Sequence, residues 1–372
     1  MTIEMKNNKN NNCNFPTLRF PEFSGEWKKD IIGNVISVKS EKYNPHSNRT
    51  EFICVELESI SQGTGELLET FNSTEQKSIK NKFSPGTVLF GKLRPYLRKF
   101  YLPYFEGVCS SEIWVMRSNK IEPAFLYSFI QTPYFISLAN QSSGSKMPRA
   151  DWGLIETSKI AYPPNSAERV KIGKFLKLID ERIATQNKII AHLESLIKGL
   201  TNQLLIPNSN WQPTTIGQVL TINPGKDYKH LKEGNIPVYG TGGYMLSVND
   251  YLYDGESVCI GRKGTINKPI FLTGKFWTID TLFYTSNFNS LLPRFGYYLF
   301  KTIDWLKYNE ASGVPSLSKV SIEKIYISLP SLAIQNSICR LLDSIYDKLA
   351  LEESVLNNHQ TQKAFILQQM FI

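Results

Sequence analysis

The densest run of chemically useful side chains is Lys92-Leu93-Arg94-Pro95-Tyr96-Leu97-Arg98-Lys99-Phe100-Tyr101, where cations alternate with rings around a proline. Ammonium and guanidinium groups suit phosphate oxygens. A guanidinium also fits the paired acceptors of a guanine edge, and a tyrosine adds stacking area and a hydroxyl. Lys92, Arg94, Tyr96, Arg98 and Lys99 are therefore candidate nucleic-acid contacts, although an edge hairpin defended by charge has the same composition. Gly144-Ser145-Lys146-Met147-Pro148-Arg149 is a flexible loop that adds Lys146 and Arg149. A third run, Cys259-Ile260-Gly261-Arg262-Lys263-Gly264-Thr265-Ile266-Asn267-Lys268, sets Arg262 and Lys263 between glycines at a strand end and carries Lys268 further on. Tyr239-Gly240-Thr241-Gly242-Gly243-Tyr244 is turn-rich; Tyr239 and Thr241 either lie against the same ligand or serve plain turn chemistry.

Catalytic chemistry is poorly supported. Gly86-Thr87-Val88-Leu89-Phe90-Gly91-Lys92-Leu93 imitates a phosphate-binding loop but lacks the closing Ser or Thr, and Arg94-Pro95 discourages a helix start there. Tyr162-Pro163-Pro164-Asn165 holds the letters of an amino-methyltransferase motif in the wrong order, with no glycine-rich cofactor loop beside it. His46, His192, His230 and His359 are isolated from other ligands, and no acidic cluster of the nuclease kind stands out. The expectation is a chain with no catalytic and no metal-ligating residues.

The bulk numbers agree with a binding protein. The 372 residues suit two or more domains, and 42 Lys and Arg against 33 Asp and Glu leave a charge of +9, which favours a polyanionic partner or simply aids solubility. The five cysteines are scattered without a C-x-x-C, as expected of reduced thiols in a cytoplasm. No apolar run approaches a membrane span and the N-terminus has no signal-peptide core, so a soluble cytoplasmic protein without membrane contact is expected. Residues 1–14, rich in Asn and Lys, read as a disordered tail.

The elements that position these residues are written twice. Trp27, Ile32, Gly33 and Val35 match Trp211, Ile216, Gly217 and Val219 at a constant shift of 184. Ser118-Asn119 and Ser286-Asn287 precede aromatic-rich segments at a shift of 168, and Ser-Gly loops follow at 169. Ile172-Gly173-Lys174-Phe175-Leu176 then matches Ile338-Cys339-Arg340-Leu341-Leu342 at 166, so the second globular part is about 18 residues shorter.

Each half ends in a long heptad seam. After Pro163-Pro164, Asn165 reads as a helix cap with Glu168 three residues on. The core then steps by four and three through Ile172, Leu176, Ile179, Ile183, Gln186, Ile190, Leu193, Ile197, Leu200 and Leu204. The second seam runs Ile338, Leu342, Ile345, Leu349, Glu352, Leu356, His359, Lys363, Ile366 and Met370, with Gln186 and Glu352 at equivalent positions. Two such helices most simply pack on each other, antiparallel, at opposite ends of which the globular parts would sit. Each helix lying alone on its own domain is the other possibility.

With these features in place, the chain resembles the specificity subunit of type I restriction-modification systems over nearly its whole length. The resemblance rests on Leu18-Arg19-Phe20-Pro21-Glu22-Phe23 leading to Trp27, on Phe90-Gly91-Lys92-Leu93-Arg94-Pro95-Tyr96, on Ile260-Gly261-Arg262-Lys263-Gly264, and on the duplicated Pro-Pro or Leu-Pro step into long helices. It implies an α+β fold: two mixed α/β target-recognition domains at 15–165 and 206–330, joined by spacer helices at 166–205 and 331–372 that form an antiparallel coiled coil with a pseudo-two-fold internal repeat. It also implies double-stranded DNA, two methyltransferase subunits and restriction subunits as partners. S-adenosylmethionine, ATP and magnesium would be held by those partners, with no cofactor on this chain. A coiled-coil scaffold without sequence-specific DNA reading is the alternative from another class.

Overall fold

The computed structural model describes residues 4–5, 14–47, 50–141 and 147–372. The chain forms two compact units, Met1–Ile189 with Glu352–Ile372, and Ile190–Leu351. Long helices cover Ser166–Leu204 and Leu332–Gln369. The division between units falls inside these helices, because their two ends are buried in different cores. Ile172 and Leu176 join Leu367 and Met370 in the core of the first unit. Leu200 and Leu204 pack with Ile338 and Leu342 in that of the second. Of the stretch read as a disordered tail, Glu4–Met5 pair antiparallel with Leu18–Arg19 instead of hanging free. Apart from Asn14, the rest of that stretch lies outside the described residues.

In the first unit, strand Lys28–Ile31 pairs antiparallel with Lys159–Tyr162 and runs straight into the single helical turn Ile32–Val35. Trp27, Ile32 and Val35 are buried beneath it. Gly33 is glycine for space, since a Cβ there would sit 3.0 Å from the Glu156 Cβ. The second unit builds the same corner from Gln212–Thr215 against Tyr326–Leu329, then Ile216–Val219. A Cβ on Gly217 would lie 2.8 Å from the Glu323 Cβ. The repeated Trp, Ile, Gly and Val are thus the four residues this corner needs.

Among the described residues, the first unit carries a five-stranded sheet ordered Lys42–Tyr43, Lys80–Phe83, Gly107–Cys109, Ile53–Val55, Phe71–Asn72, and a three-stranded one ordered Ile113–Met116, Val88–Gly91, Phe100–Tyr101. The second unit has a four-stranded sheet containing Ser257–Gly261 beside Leu282–Ser286, and another containing the hairpin Glu233–Gly240 and Gly243–Val248. Proline-started helices, Pro123–Phe129 and Pro293–Thr302, bury Phe125 and Phe295 in the two cores.

The step into the first long helix differs from a simple capping box. The Asn165 side chain accepts from the Ala167 N–H at 2.9 Å. Glu168 does not turn back onto that cap. Its carboxylate is buried and accepts two bonds from Arg19, at 2.7 and 2.8 Å, and one from the Trp27 indole at 3.3 Å. A buried guanidinium demands an anion, and that demand outweighs local capping. The Pro163 and Pro164 carbonyls accept from Arg169, and the Pro330 carbonyl accepts from Gln335 in the second unit. The misordered methyltransferase letters therefore belong to a structural corner.

Seam positions Ile172, Leu176, Ile183 and Gln186 are buried, as are Ile338 and Leu342 in the second unit. Ile179, Ile190, Ile345, Leu349, Glu352 and Leu356 are half-buried. The Gln186 amide donates to the Glu352 carboxylate and, at 3.0 Å, to the Glu352 carbonyl. Lys363 reaches Asp180 and Gln131, each at 2.5 Å. Burial raises the Asp180 carboxyl above its ordinary value, and the Lys363 charge opposes that shift.

Candidate nucleic-acid interface

Strand Val88–Gly91 is clamped antiparallel to Ile113–Met116 and delivers Lys92 at its end. A short 3-10 turn, Pro95–Leu97, follows in place of the helix that a phosphate-binding loop would need, and arginines in the left-handed region flank it. Both Arg94 and Arg98 have a φ of 51°. Two main-chain hydrogen bonds hold this turn against the segment 148–150. Arg94 N–H donates to the Pro148 carbonyl at 2.8 Å and Ala150 N–H donates to the Lys92 carbonyl at 2.8 Å, which together make the antiparallel bridge between Leu93 and Arg149. Lys92 and Arg149 are thereby brought together; Lys146 lies outside the described residues.

The cations of this turn do not all point the same way. Arg98 donates to the Gln131 carbonyl at 3.0 Å and Lys99 to the Leu57 carbonyl at 2.5 Å. Burial lowers the pKa of both, and the guanidinium of Arg98 stays charged. Arg149 is paired with Glu112 at 3.0 Å. Arg94 and Tyr96 are exposed, Lys92 half-exposed, and none has a side-chain hydrogen bond or ion pair among the described residues.

The second unit presents a matching turn. Strand Ser257–Gly261 pairs with Leu282–Ser286 and delivers Arg262 and Lys263. Gly264 N–H donates to the Pro315 carbonyl at 2.9 Å, Leu317 N–H donates to the Arg262 carbonyl at 2.9 Å, and Lys263 bridges Ser316. These are the links of the first unit, placing Lys92, Leu93 and Arg94 opposite Arg262, Lys263 and Gly264. Gly264 also has positive φ, 88°. Arg262 lies over the Phe283 ring at 5.9 Å, and with Lys263, Glu310 and Lys319 it lines a cavity of about 390 Å³. Hydrogen bonds from Ser321 and Ser318 hold the Glu310 carboxyl below its ordinary value. Lys268 is exposed.

The turn-rich Tyr239–Tyr244 segment is the tip of the Glu233–Val248 hairpin, where Tyr239 packs edge-on against Tyr244 at 6.2 Å. Thr241 borders the cationic turn: a Cβ on Gly261 would sit 3.1 Å from its methyl group. Inspection of the sequence missed the bracing partners, Glu112, Pro148 and Pro315. The available signal was the proline that follows each Ser-Gly loop.

Among the described residues, no group of three or more His, Cys, Asp and Glu is placed to hold a metal ion, and no helix is long and apolar enough to cross a membrane. Cys54, Cys109, Cys259 and Cys339 are free and buried, and burial raises their thiols.

The chain belongs to the type I restriction modification DNA specificity domain family, whose sequence model matches residues 24–195 and again 208–359. It is similar to a putative type I restriction enzyme specificity subunit of Haemophilus influenzae, 25% identical over 159 residues, which is 41% of this chain and 40% of that protein. The type I restriction enzyme EcoDI specificity subunit of Escherichia coli is 23% identical over 218 residues, 55% of this chain and 48% of that protein. The matches thus span less than half the length of these curated relatives. In fold, the chain is similar to the type I restriction-modification system S subunit from M. genitalium, with a TM-score of 0.65 at 17% identity over 100% of this chain and 99% of that one. A chain solved in work on complex assembly and conformational transition of the type I R-M system gives 0.59 at 18% identity, covering 92% and 96%.

Proposed function

We propose that this chain is a non-catalytic, sequence-specific double-stranded DNA-binding subunit. It reads a bipartite site and directs two methyltransferase subunits and restriction subunits to it in the cytoplasm. The observation that carries this reading is the pair of cationic turns, one per family domain, built at the same strand end with the same main-chain links. One reading head per half accounts for a site in two parts. S-adenosylmethionine, ATP and magnesium belong to the partners in this account.

The spacing between the half-sites is assigned to the two long helices as an antiparallel coiled coil. Within the first unit Gln186 meets Glu352 and Asp180 meets Lys363, which supports opposite chain directions. A polar pair in an apolar seam fixes register at some cost in stability. Exposed apolar residues on the helices, among them Leu178, Leu196, Leu341, Leu351 and Phe365, suit the docking of methyltransferase subunits. The same residues would serve a coiled-coil scaffold, so salt decides between the two. With about four phosphate contacts, affinity for duplex DNA falls on the order of a hundredfold between roughly 50 and 200 mM salt. Fluorescence anisotropy on a labelled duplex measures this, and salt-insensitive or absent binding would favour the scaffold.

A further inference from the structure

We infer that the two cationic turns, Lys92–Arg94 and Arg262–Gly264, are anchors for the DNA phosphate backbone, and that base discrimination resides where the two units differ. This rests on the DNA-binding reading above. The argument begins from what the units share. Two half-sites of different sequence have the sugar-phosphate backbone in common. The turns are the shared device, tied to the segments 148–150 and 315–317 by equivalent main-chain links in each unit. The sheets around them are not shared: the first unit has the five-stranded sheet through Lys80–Phe83, the second the Glu233–Val248 hairpin. Elements with unlike surfaces are the ones suited to unlike base sequences.

The side chains point the same way. Each turn offers two cations without an ion-pair partner among the described residues, but at different positions: first and third in one (Lys92, Arg94), first and second in the other (Arg262, Lys263). Lys92 stands where Arg262 stands. Exchange of Lys for Arg and a shift of one residue are tolerable against a string of phosphates, whereas a guanine edge requires the guanidinium fork. Arg94 adds a conformational mark. It occupies the left-handed position that the second unit gives to glycine, so the arginine is kept there at a backbone cost that Gly264 does not carry. The exposed guanidinium supplies the reason to keep it.

The test uses the full-length chain with two duplexes of equal length, one carrying the methylated site and one scrambled, titrated over a salt series. Arg94→Gly relieves the backbone, so its melting temperature should equal or exceed the parent's. Its affinity should fall roughly fivefold to tenfold for both duplexes alike, and its salt slope should drop by about one. Arg94→Lys, which keeps the charge and the backbone strain, should bind both nearly as the parent does. Arg262→Ala with Lys263→Ala should again weaken both duplexes equally. Loss confined to the methylated-site duplex, or Arg94→Lys as damaging as Arg94→Gly, would make Arg94 a base reader and overturn the inference. Unchanged affinity in Arg94→Gly and in the double variant would also overturn it. Parent protein that binds neither duplex in a salt-dependent way would instead remove the DNA-binding reading on which it rests.

Discussion

Replacing Glu168 with alanine is expected to destabilise the first unit by about 3–5 kcal/mol, because it strands a buried guanidinium. Side-chain exposure at the pair is 7% for Arg19 and 1% for Glu168, so solvent does not replace the lost carboxylate. Arg19 would keep the Gly25 and Ser24 carbonyls as acceptors but lose both bonds that neutralise it. The Trp27 indole N–H would lose its acceptor as well. This pair joins the strand of the N-terminal motif to the first turn of the long helix. Its loss should therefore loosen the first domain on its helix and leave the second unit's own corner intact. The double variant Arg19→Met with Glu168→Leu should recover most of the stability, since the desolvation cost disappears with both charges. Chemical denaturation measures all three. A single variant costing under about 1 kcal/mol would show that solvent or another group serves Arg19.

The second large effect concerns the helices. Deleting one heptad from each, residues 187–193 and 345–351, preserves the phase of the seam while removing about 10 Å of helix. If the helices measure the gap between half-sites, the gap in the recognised sequence should shorten by one to three base pairs, each about 3.4 Å, and the original site should go unmodified. Deleting the heptad from only one helix should mismatch the seam and abolish modification altogether. An unchanged gap after the double deletion would refute the ruler.

The sequence made some of this legible and hid the rest, for physical reasons. A stepping of four and three sustained over ten positions marks a long helix whatever it packs against, and the observed helices run Ser166–Leu204 and Leu332–Gln369. The corner of Trp, Ile, Gly and Val was visible as a repeat, but not why glycine is needed, because Glu156 and Glu323 lie more than a hundred residues away. The strand orders were not legible, since most of the strands have only two to five residues and leave little periodicity to read. Among the candidate contacts, residue type and spacing identified the cationic runs but not which cations are already engaged. Arg98, Lys99 and Arg149 are held by Gln131, Leu57 and Glu112, partners 33 to 42 residues distant in sequence. Glu168 shows the converse: its local spacing suggested a cap, and a long-range charge claimed it.

The central claim is that two unlike reading heads on one chain recognise one interrupted DNA sequence. Its most direct test is to map every methylated base in a host that expresses this chain with the methyltransferase subunit proposed as its partner, against the same host lacking this chain. The account predicts one additional motif, made of two short specific blocks separated by a fixed run of unspecified bases. A continuous motif, two motifs methylated independently, or methylation unchanged by the presence of this chain would contradict it.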